Sequence, residues 1–327
     1  MKQSKFFVTG MLFLVLLVML TSCSTLSGLF AGLFKKKVDS TIVFDASSLR
    51  NVVRISDDGI SKGWLSVSKD GQKLLYCEQP TEFDPVAVSK NKSSRIMYLR
   101  NTSVFAKTPL VESFTYGPAW YENGTNFVYV LLNQDGSTQL VKSSVSGGGR
   151  IFITRNAIGQ GDNNPSVRED IIACDTYINN QRQIVTLRDN GTEITVLGPG
   201  SQPSWHPVEN KLVFVKEDGI WEMDTETTQQ TQLYAVSDKD RRDGIWCGAP
   251  SYTGDGKHIV FVKTVKVESS LWRHLFAMDI EGNNLTELTG GNTDIWAPVA
   301  GPGNQIFFIS NAGEGKTEIW SALVTLE

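Results

Sequence analysis

Three stretches of the sequence bring acidic, amide and aromatic side chains close together. Asp162 and Asn163 lie in GQGDNN, Asp243 and Trp246 lie in DRRDGIW, and Asp294 and Trp296 lie in GGNTDIW. An indole ring beside a carboxylate can stack on a sugar or form the centre of a contact with a protein or peptide. The same side chains could instead pack one structural unit against the next. The pattern therefore gives these six residues as candidate partner-binding residues and leaves the packing interpretation open.

Patterns for catalysis, metals and cofactors are weak by comparison. The three histidines, His206, His258 and His274, are dispersed, and the sequence has no G-x-S-x-G nucleophile elbow. SGGGR at Ser146–Arg150 lacks the Lys-Ser/Thr pair of a phosphate loop. Aspartates such as Asp70 occur in turn sequences and do not have EF-hand spacing. We therefore predict a protein that is not an enzyme and that binds no metal and no cofactor.

The loops that carry the candidate residues alternate with a repeated unit. The full unit has a proline, an aromatic residue two positions later, a polar turn and a short apolar run, although the first copy lacks the proline and two others lack the aromatic residue. The six copies are Trp64–Cys77, Pro118–Val130, Pro165–Asp175, Pro203–Val215, Pro250–Val262 and Pro298–Ile309. With Gly63 as the counterpart of the prolines at 118, 165, 203, 250 and 298, the copies are 38 to 55 residues apart. Turns such as KDG and ENG are typical of hairpins, and runs such as KLVFV are typical of buried strands.

The second half of each copy predicts two further strands, as in GIWEMD (Gly219–Asp224) followed by TQL. Four antiparallel strands in about 40–50 residues are typical of a propeller blade. The last copy ends after its third strand, and LRNVVRIS (Leu49–Ser56) can supply the fourth, with TIVFD (Thr41–Asp45) alongside. We therefore predict an all-β, six-bladed β-propeller of four-stranded antiparallel blades over residues 41–327, with its ring closed by an N-terminal strand.

The copies resemble the repeat P-x-W-S-P-D-G-x-x-I-x-F of TolB-like six-bladed β-propellers, which also occurs in propeller domains of prolyl-oligopeptidase-type proteases. Trp205–Pro207 and Asp255–Phe261 match it best, and the copies at Pro165 and Pro298 depart from it. TolB is a soluble periplasmic protein whose propeller follows an α/β domain, for which residues 23–40 leave no room. The resemblance implies a binding or scaffold protein that uses its loop face and channel mouth for protein–protein interaction. The alternative is a small-ligand (sugar or peptide) sensor or a hydrolase with its site in the central channel.

The N-terminus predicts export and lipidation. A positively charged start precedes the apolar run Met11–Leu20, which is short for a membrane span. Leu20–Cys23 (LTSC) resembles the cleavage box of bacterial lipoproteins. This implies that residues 1–22 are a signal peptide and that Cys23 is acylated, for example with palmitate. An ordinary secretory signal with an incidental cysteine is the alternative.

Residues 23–40 are predicted to be a lipidated tether with an amphipathic segment. Apolar residues recur with the spacing of one helical face and are followed by three lysines; they are Leu26, Leu29, Phe30, Leu33 and Phe34. A flexible tether is the alternative, because Gly28 and Gly32 weaken a helix. Ser24 rather than Asp follows the cysteine, and by resemblance to the lipoproteins of enteric bacteria this implies the outer membrane, facing the periplasm, rather than the inner membrane.

Composition limits the class of partner. The formal net charge is −4 and there is no basic stripe, so a nucleic-acid partner is not expected. The resemblance to TolB-like propellers implies cell-envelope proteins as partners, such as a peptidoglycan-associated lipoprotein or a component of a membrane complex, and the lipoprotein resemblance adds the membrane itself through the N-terminal lipid. Cys77 and Cys174 lie in apolar strand patterns, where cysteine usually acts as a small buried hydrophobe. A disulfide among these two and Cys247 remains open.

Overall fold

The computed structural model describes residues 42–45, 47–79, 95–111, 114–154, 159–312 and 316–326. The predicted signal peptide, the lipidated Cys23 and the tether at residues 23–40 lie outside these residues. They therefore stay predictions.

The described residues form six four-stranded antiparallel sheets, which we call blades 1 to 6, and one two-stranded sheet. Two strands precede blade 1: β1 (Ile42–Phe44) and β2 (Leu49–Arg54). Blade 1 contains β3 (Ser61–Val67), β4 (Leu74–Gln79), β5 (Arg95–Asn101) and β6 (Val104–Val111). Blade 2 contains β7 (Thr115–Trp120), β8 (Asn126–Leu132), β9 (Thr138–Ser144) and β10 (Ile151–Phe152). Blade 3 contains β11 (Gln160–Arg168), β12 (Ile171–Ile178), β13 (Gln181–Arg188) and β14 (Thr195–Pro199).

The second half of the chain repeats this plan. Blade 4 contains β15 (Ser201–Trp205), β16 (Lys211–Lys216), β17 (Gly219–Asp224) and β18 (Gln230–Ala235), and the short helix α1 (Asp238–Arg242) follows it. Blade 5 contains β19 (Cys247–Tyr252), β20 (His258–Val267), β21 (Ser270–Asp279) and β22 (Thr286–Glu287). After β23 (Thr289–Gly291), blade 6 contains β24 (Ile295–Ala300), β25 (Gln305–Ser310), β26 (Glu318–Val324) and β2. The predicted six-bladed propeller is confirmed.

The ring closes in blade 6, where strands from the two ends of the described chain meet. The N-terminal β2 pairs antiparallel with β26, with Leu49 opposite Val324, as predicted. The junction with blade 1 contains a buried ion pair, since Lys62 Nζ lies 3.2 Å from Glu318 Oε2 and both side chains are buried. The Gly59 N–H donates to the same carboxylate over 3.1 Å. Hydrogen bonds and a buried charge pair thus join the first blade to the last.

The strand-like run ahead of β2 does not join blade 6. Its strand β1 pairs with β23 at the end of blade 5, with Phe44 opposite Thr289. The Phe44 ring also lies 6.0 Å from the ring of Trp320 in blade 6. The first described strand therefore contacts two neighbouring blades.

Every inner strand has a β-bulge at the same place. The residue at this bulge has a left-handed φ between 42° and 56°, and the six residues are Trp64, Gly117, Asn164, Gln202, Ala249 and Ala297. Such a φ is uncommon for a residue other than glycine, so its recurrence marks a designed feature of each blade. In blades 2 to 6 the next residue is the proline of the repeat.

The bulge corrects the alignment of blade 1. Leu65, not Gly63, is the counterpart of the prolines, so the first spacing is 53 residues rather than 55. Trp64 consequently holds the left-handed position, and Val67 stands where Trp120 stands in blade 2, because Val67 faces Leu74 as Trp120 faces Phe127. Trp64 and Trp120 are the same residue type but lie at different positions of the repeat, so the alignment by residue type was wrong for blade 1.

The core lies between the blades. The second strands are buried along most of their length, as in β8, where Phe127, Val128, Tyr129 and Val130 are fully buried. Apolar strands covered on both faces are typical of stacked sheets. Cys77, Cys174 and Cys247 are buried and lie in three separate strands. Among the described residues, no helix has the length and apolar character needed to cross a membrane.

Candidate functional site

The six inner strands all begin at one end of the ring, which we call the loop face. At this end, two residues of each inner strand precede the repeat proline or Leu65. These twelve are Gly63, Trp64, Tyr116, Gly117, Asn163, Asn164, Ser201, Gln202, Gly248, Ala249, Trp296 and Ala297. They are aromatic, amide or small residues, and none is a histidine or a carboxylate. The channel mouth thus has recognition groups rather than acid–base groups at these positions.

Asp162 lies one position further from the proline of blade 3 and is fully buried. The stretch GQGDNN is not a surface loop there, because β11 already begins at Gln160. Burial raises the pKa of Asp162, and the hydroxyls of Thr154 and Thr176 partly oppose this effect. The backbone carbonyl of Asp162 accepts from Thr138 Oγ1 of blade 2 over 2.9 Å. Asp162 is therefore part of the junction between blades 2 and 3.

Asn163 lies next to it and is half-buried at the channel end of β11. Its Oδ1 accepts a hydrogen bond from the Tyr116 hydroxyl of blade 2, and its Nδ2 donates to Gly161 O over 2.7 Å. The Tyr116 ring in turn lies 4.8 Å from the ring of Trp64 in blade 1. One continuous set of contacts thus joins the inner strands of blades 1, 2 and 3.

Asp175 of β12 is the most heavily bonded carboxylate near these residues. It is fully buried and accepts from Arg182 Nη1 through Oδ1. Its Oδ2 accepts from Asn164 Nδ2 over 2.8 Å and from the Gln202 backbone N–H of blade 4 over 2.7 Å. Burial raises the pKa of Asp175, and the Arg182 guanidinium is the largest of the influences that oppose it. This carboxylate ties blade 3 to blade 4.

Arg182 is held on two sides. Its guanidinium lies 4.5 Å from the centre of the Tyr177 ring, and Tyr177 faces it across the β12–β13 pair. The side chain of Arg182 is 31% exposed, and Tyr177 is 42% exposed. We call Asn163, Asn164, Asp175, Tyr177 and Arg182 the blade 3 wall. Sequence reasoning found Asn163 alone among these five, because only strand register brings the others together.

A second group lies on blades 5 and 6, and we call Trp246, Arg273, Asp294 and Trp296 the blade 5–6 rim. Asp294 Oδ1 accepts from the Arg273 backbone N–H and from Arg273 Nε, both over 3.0 Å. The Arg273 guanidinium lies 4.3 Å from the centre of the Trp296 ring. Trp296 is half-buried and packs on the apolar cluster between blades 6 and 1. Asp294 and Trp296 thus form one unit through Arg273, which the sequence did not indicate.

Trp246 is not equivalent to Trp296. It lies four residues before Pro250, whereas Trp296 lies two residues before Pro298. Trp246 is 41% exposed, and its Cζ3 would be 3.2 Å from a Cβ placed on Gly248, so the indole covers the start of β19.

Asp243 and Gly244 belong to the same loop as Trp246, and Leu271 lies against Gly244. Asp243 is exposed and ends α1, with its backbone N–H donating to the carbonyls of Lys239 and Asp240. Leu271 is also exposed, and its Cδ1 would lie 3.1 Å from a Cβ on Gly244. The loop before β19 therefore presents the indole of Trp246 and the carboxylate of Asp243 on the loop face, and Leu271 of β21 lies against Gly244 of this loop.

Two of the three histidines, His206 and His274, make hydrogen bonds through their rings. His206 is buried and its Nδ1 accepts from the Glu209 N–H over 2.9 Å. His274 is buried between the Glu287 carboxylate and the Gly291 carbonyl. Within the described part of the chain, no group of three His, Cys, Asp or Glu side chains could hold a metal ion.

No protein-family model matches the sequence, and no curated protein sequence matches it. Solved structures are similar in fold. A putative TolB from Agrobacterium tumefaciens is 12% identical, with 85% of this chain and 100% of that chain covered and a TM-score of 0.59. TolB from Acinetobacter baumannii is 13% identical, with 78% and 64% covered and a TM-score of 0.55. A gluconolactonase from Xanthomonas campestris is 12% identical, with 86% and 92% covered and a TM-score of 0.56. The fold is that of a TolB-like six-bladed β-propeller.

Proposed function

We propose that the protein is a lipid-anchored binding or scaffold protein of the bacterial cell envelope, and that its loop face binds a protein partner without catalysis. The blades hold the loops in fixed positions, and an acylated Cys23 holds them near a membrane. The expected membrane is the outer membrane, with the propeller in the periplasm. A cell-envelope protein, such as a peptidoglycan-associated lipoprotein, is the expected partner.

The exposed indole of Trp246 carries this proposal. Exposed tryptophan on a rigid backbone is typical of the centre of protein interfaces, because it provides a large contact area and loses little conformational entropy. The carbonyl of Trp246 accepts from the Thr264 N–H over 2.8 Å, so the residue is fixed to the hairpin of blade 5. The adjoining Leu271 and Asp243 give an apolar centre with a polar border, as interfaces usually have.

The residue types at the channel mouth support binding over catalysis. The twelve positions that precede the repeat prolines and Leu65 supply no general base and no nucleophile with a base beside it. Fold alone does not decide the matter, because TolB and a gluconolactonase both share it. A small-ligand sensor or a hydrolase with its site in the channel remains the second candidate, favoured by the similarity to the gluconolactonase.

The test is capture of a partner from gently crosslinked native membranes. The full chain is compared with Trp246→Ala and with a matched control, Val208→Ala, which removes an exposed side chain at the opposite end of the ring. We expect one protein to be captured by the full chain and by Val208→Ala and to be lost with Trp246→Ala. Capture that is equal in all three would place the interface elsewhere. No capture at all would favour the small-ligand candidate.

The anchor is tested separately. Replacement of Cys23 by Ser should abolish incorporation of labelled palmitate and release the protein from the membrane fraction, because the acylated residue is then missing. Retention of both properties in Cys23→Ser would contradict lipidation at this residue.

A further inference from the structure

Arg182 differs from an ordinary surface arginine in how it is held. At the other end of the same strand, Arg188 pairs with Asp170 and Glu193, whose side chains are largely solvent-exposed. Such exposed pairs contribute little to stability. Arg182 instead pairs with the fully buried Asp175. A buried carboxylate loses its hydration, and only a well-placed cation offsets that cost. The pairing with Asp175 therefore fixes the position of the Arg182 guanidinium.

Part of the guanidinium is still open to a ligand. The group has five N–H donors arranged as a fork. Among the described residues, its contacts are those with Asp175 and with Tyr177. The side chain keeps 31% of its surface exposed. Donors therefore remain on a cation whose orientation is already set.

Tyr177 completes the site. Its ring covers the guanidinium at 4.5 Å and is itself exposed. Stacking on an aromatic face holds the plane of the fork and removes water from one side of it. A cation fixed in this way loses less entropy when it forms a bidentate hydrogen bond.

The site lies where blade 3 meets blade 4 on the loop face. The Arg182 carbonyl accepts from the Gly200 N–H over 3.1 Å, and Asp175 accepts from the Gln202 N–H. Gln202 is one of the twelve channel-mouth residues and in turn accepts from the Ala249 N–H of blade 5 over 2.6 Å. A partner docked on the loop face could therefore reach Arg182.

The geometry points to Arg182 and Tyr177 as a binding site for a single carboxylate of the protein partner. A guanidinium fork matches the two oxygens of a carboxylate. A single guanidinium, which also pairs with Asp175, suits a monoanion better than a phosphate dianion, which usually needs several cations. The carboxylate could be the C-terminus of the partner or an acidic side chain. The inference rests on the proposed function, since it places part of the partner on the same face.

Nuclear magnetic resonance of the arginine Nε–Hε groups tests the inference directly. The full chain, labelled with ¹⁵N at arginine and kept in detergent, is titrated with N-acetylglycylglycine and with N-acetylaspartate N-methylamide. The first probe has a terminal carboxylate and the second a side-chain carboxylate. N-acetylglycinamide, which has no carboxylate, is the control.

We expect a saturable shift of the Arg182 signal, identified by its loss in Arg182→Lys, with at least one carboxylate probe. The probe with the larger shift shows which source of carboxylate the site prefers. The Arg188 signal should stay in place, and the Arg188→Gln variant should leave the response unchanged. The inference is overturned if the Arg182 signal does not move, or if it moves equally with the amide.

Capture of the partner separates this inference from the proposed function. Arg182→Gln leaves Asp175 without its cation, so the paired variant Arg182→Gln/Asp175→Asn is used as well, and thermal unfolding shows that each is folded. We expect at least a tenfold loss of capture in both. If the Arg182 signal ignores carboxylates while capture still depends on Trp246, this inference fails and the proposed function stands. If neither Trp246 nor Arg182 affects capture, both fail.

Discussion

The blade 3 wall and the blade 5–6 rim contain the same three-part unit at different depths. In each, an arginine lies over an aromatic ring, at 4.5 Å for Arg182 and 4.3 Å for Arg273, and bonds to an aspartate. Asp175 is fully buried and receives hydrogen bonds from residues of two blades, whereas Asp294 is 18% exposed. The combination of an arginine, an aromatic ring and an aspartate therefore does not by itself determine what the arginine does.

The two arginines therefore differ in what they can do, because their aspartates differ in burial. In the blade 3 wall, Asp175 also accepts a hydrogen bond from Gln202 of blade 4, so the unit joins two blades. Its arginine, Arg182, is a hydrogen-bond donor held in a fixed position. In the blade 5–6 rim, Asp294 Oδ1 accepts two hydrogen bonds from Arg273, one from the backbone N–H and one from Nε, and Trp246 is exposed on the same loop face. Substitutions in the two regions should therefore differ in size and in kind.

The largest expected effect is that of Asp175→Ala. Removing one partner of a buried ion pair costs about 3–5 kcal/mol of unfolding free energy, because the remaining charge and donors lose their partner. Asp294→Ala should cost about 1–2 kcal/mol, since its unit is partly solvated. Urea unfolding of the two variants measures both values. Equal losses would show that depth of burial does not separate the two units.

The next largest effect on the unfolding free energy should distinguish the two tryptophans of the blade 5–6 rim. Trp296→Ala should cost about 2–3 kcal/mol, since a half-buried indole on an apolar cluster is lost. Trp246→Ala should change the unfolding free energy by less than about 0.5 kcal/mol, because its ring is exposed, while it removes capture of the partner. Thermal unfolding of both variants is the measurement. A large loss of stability in Trp246→Ala would mean that its loop serves packing rather than binding.

The smallest expected effect is that of Asp162→Asn, which should raise the unfolding free energy. This gain should depend on pH more than the other effects do. Burial raises the pKa of Asp162 in the folded state above the usual value of 3.8. Below pH 3.8 both states are protonated and there is no penalty. As the pH rises, the unfolded state ionises first, so stability falls until the folded-state pKa has been passed.

The Asn variant lacks this penalty, and its advantage should therefore appear above about pH 4 and be complete above the raised pKa. Urea unfolding at several pH values checks the sign. An advantage that is the same at pH 3 and pH 8 would exclude ionisation of Asp162 as its cause.

The sequence predicted the fold well because each blade repeats local signals. Turn residues and apolar runs recur in every copy and prolines in five of the six, and the missing strand of the last blade had one evident candidate in Leu49–Ser56, which β2 confirms. The alignment of blade 1 was wrong because residue type alone cannot show where a bulge lies. Trp64 and Trp120 look equivalent in sequence and differ by three positions of the repeat.

The candidate site was predicted less well, because its parts meet only through strand register and blade contact. Tyr177 and Arg182 face each other across a hairpin, and Asp175 meets Gln202 of the next blade. No spacing in the sequence reports such a contact. The sequence also did not show whether a candidate residue is buried. Asp162 and Trp246 both lie in polar stretches, but Asp162 is fully buried and Trp246 is exposed.

The closure of the ring has a mechanical consequence. If Cys23 is held in a membrane and a partner pulls on the loop face, the tension enters the propeller through β1 and β2. The first contacts under load are then the pairing of β1 with β23, the pairing of β2 with β26, and the bonds of Glu318 to Lys62 and Gly59. Their rupture force, rather than the equilibrium stability of the other blades, would set how much strain the anchored ring tolerates before it opens.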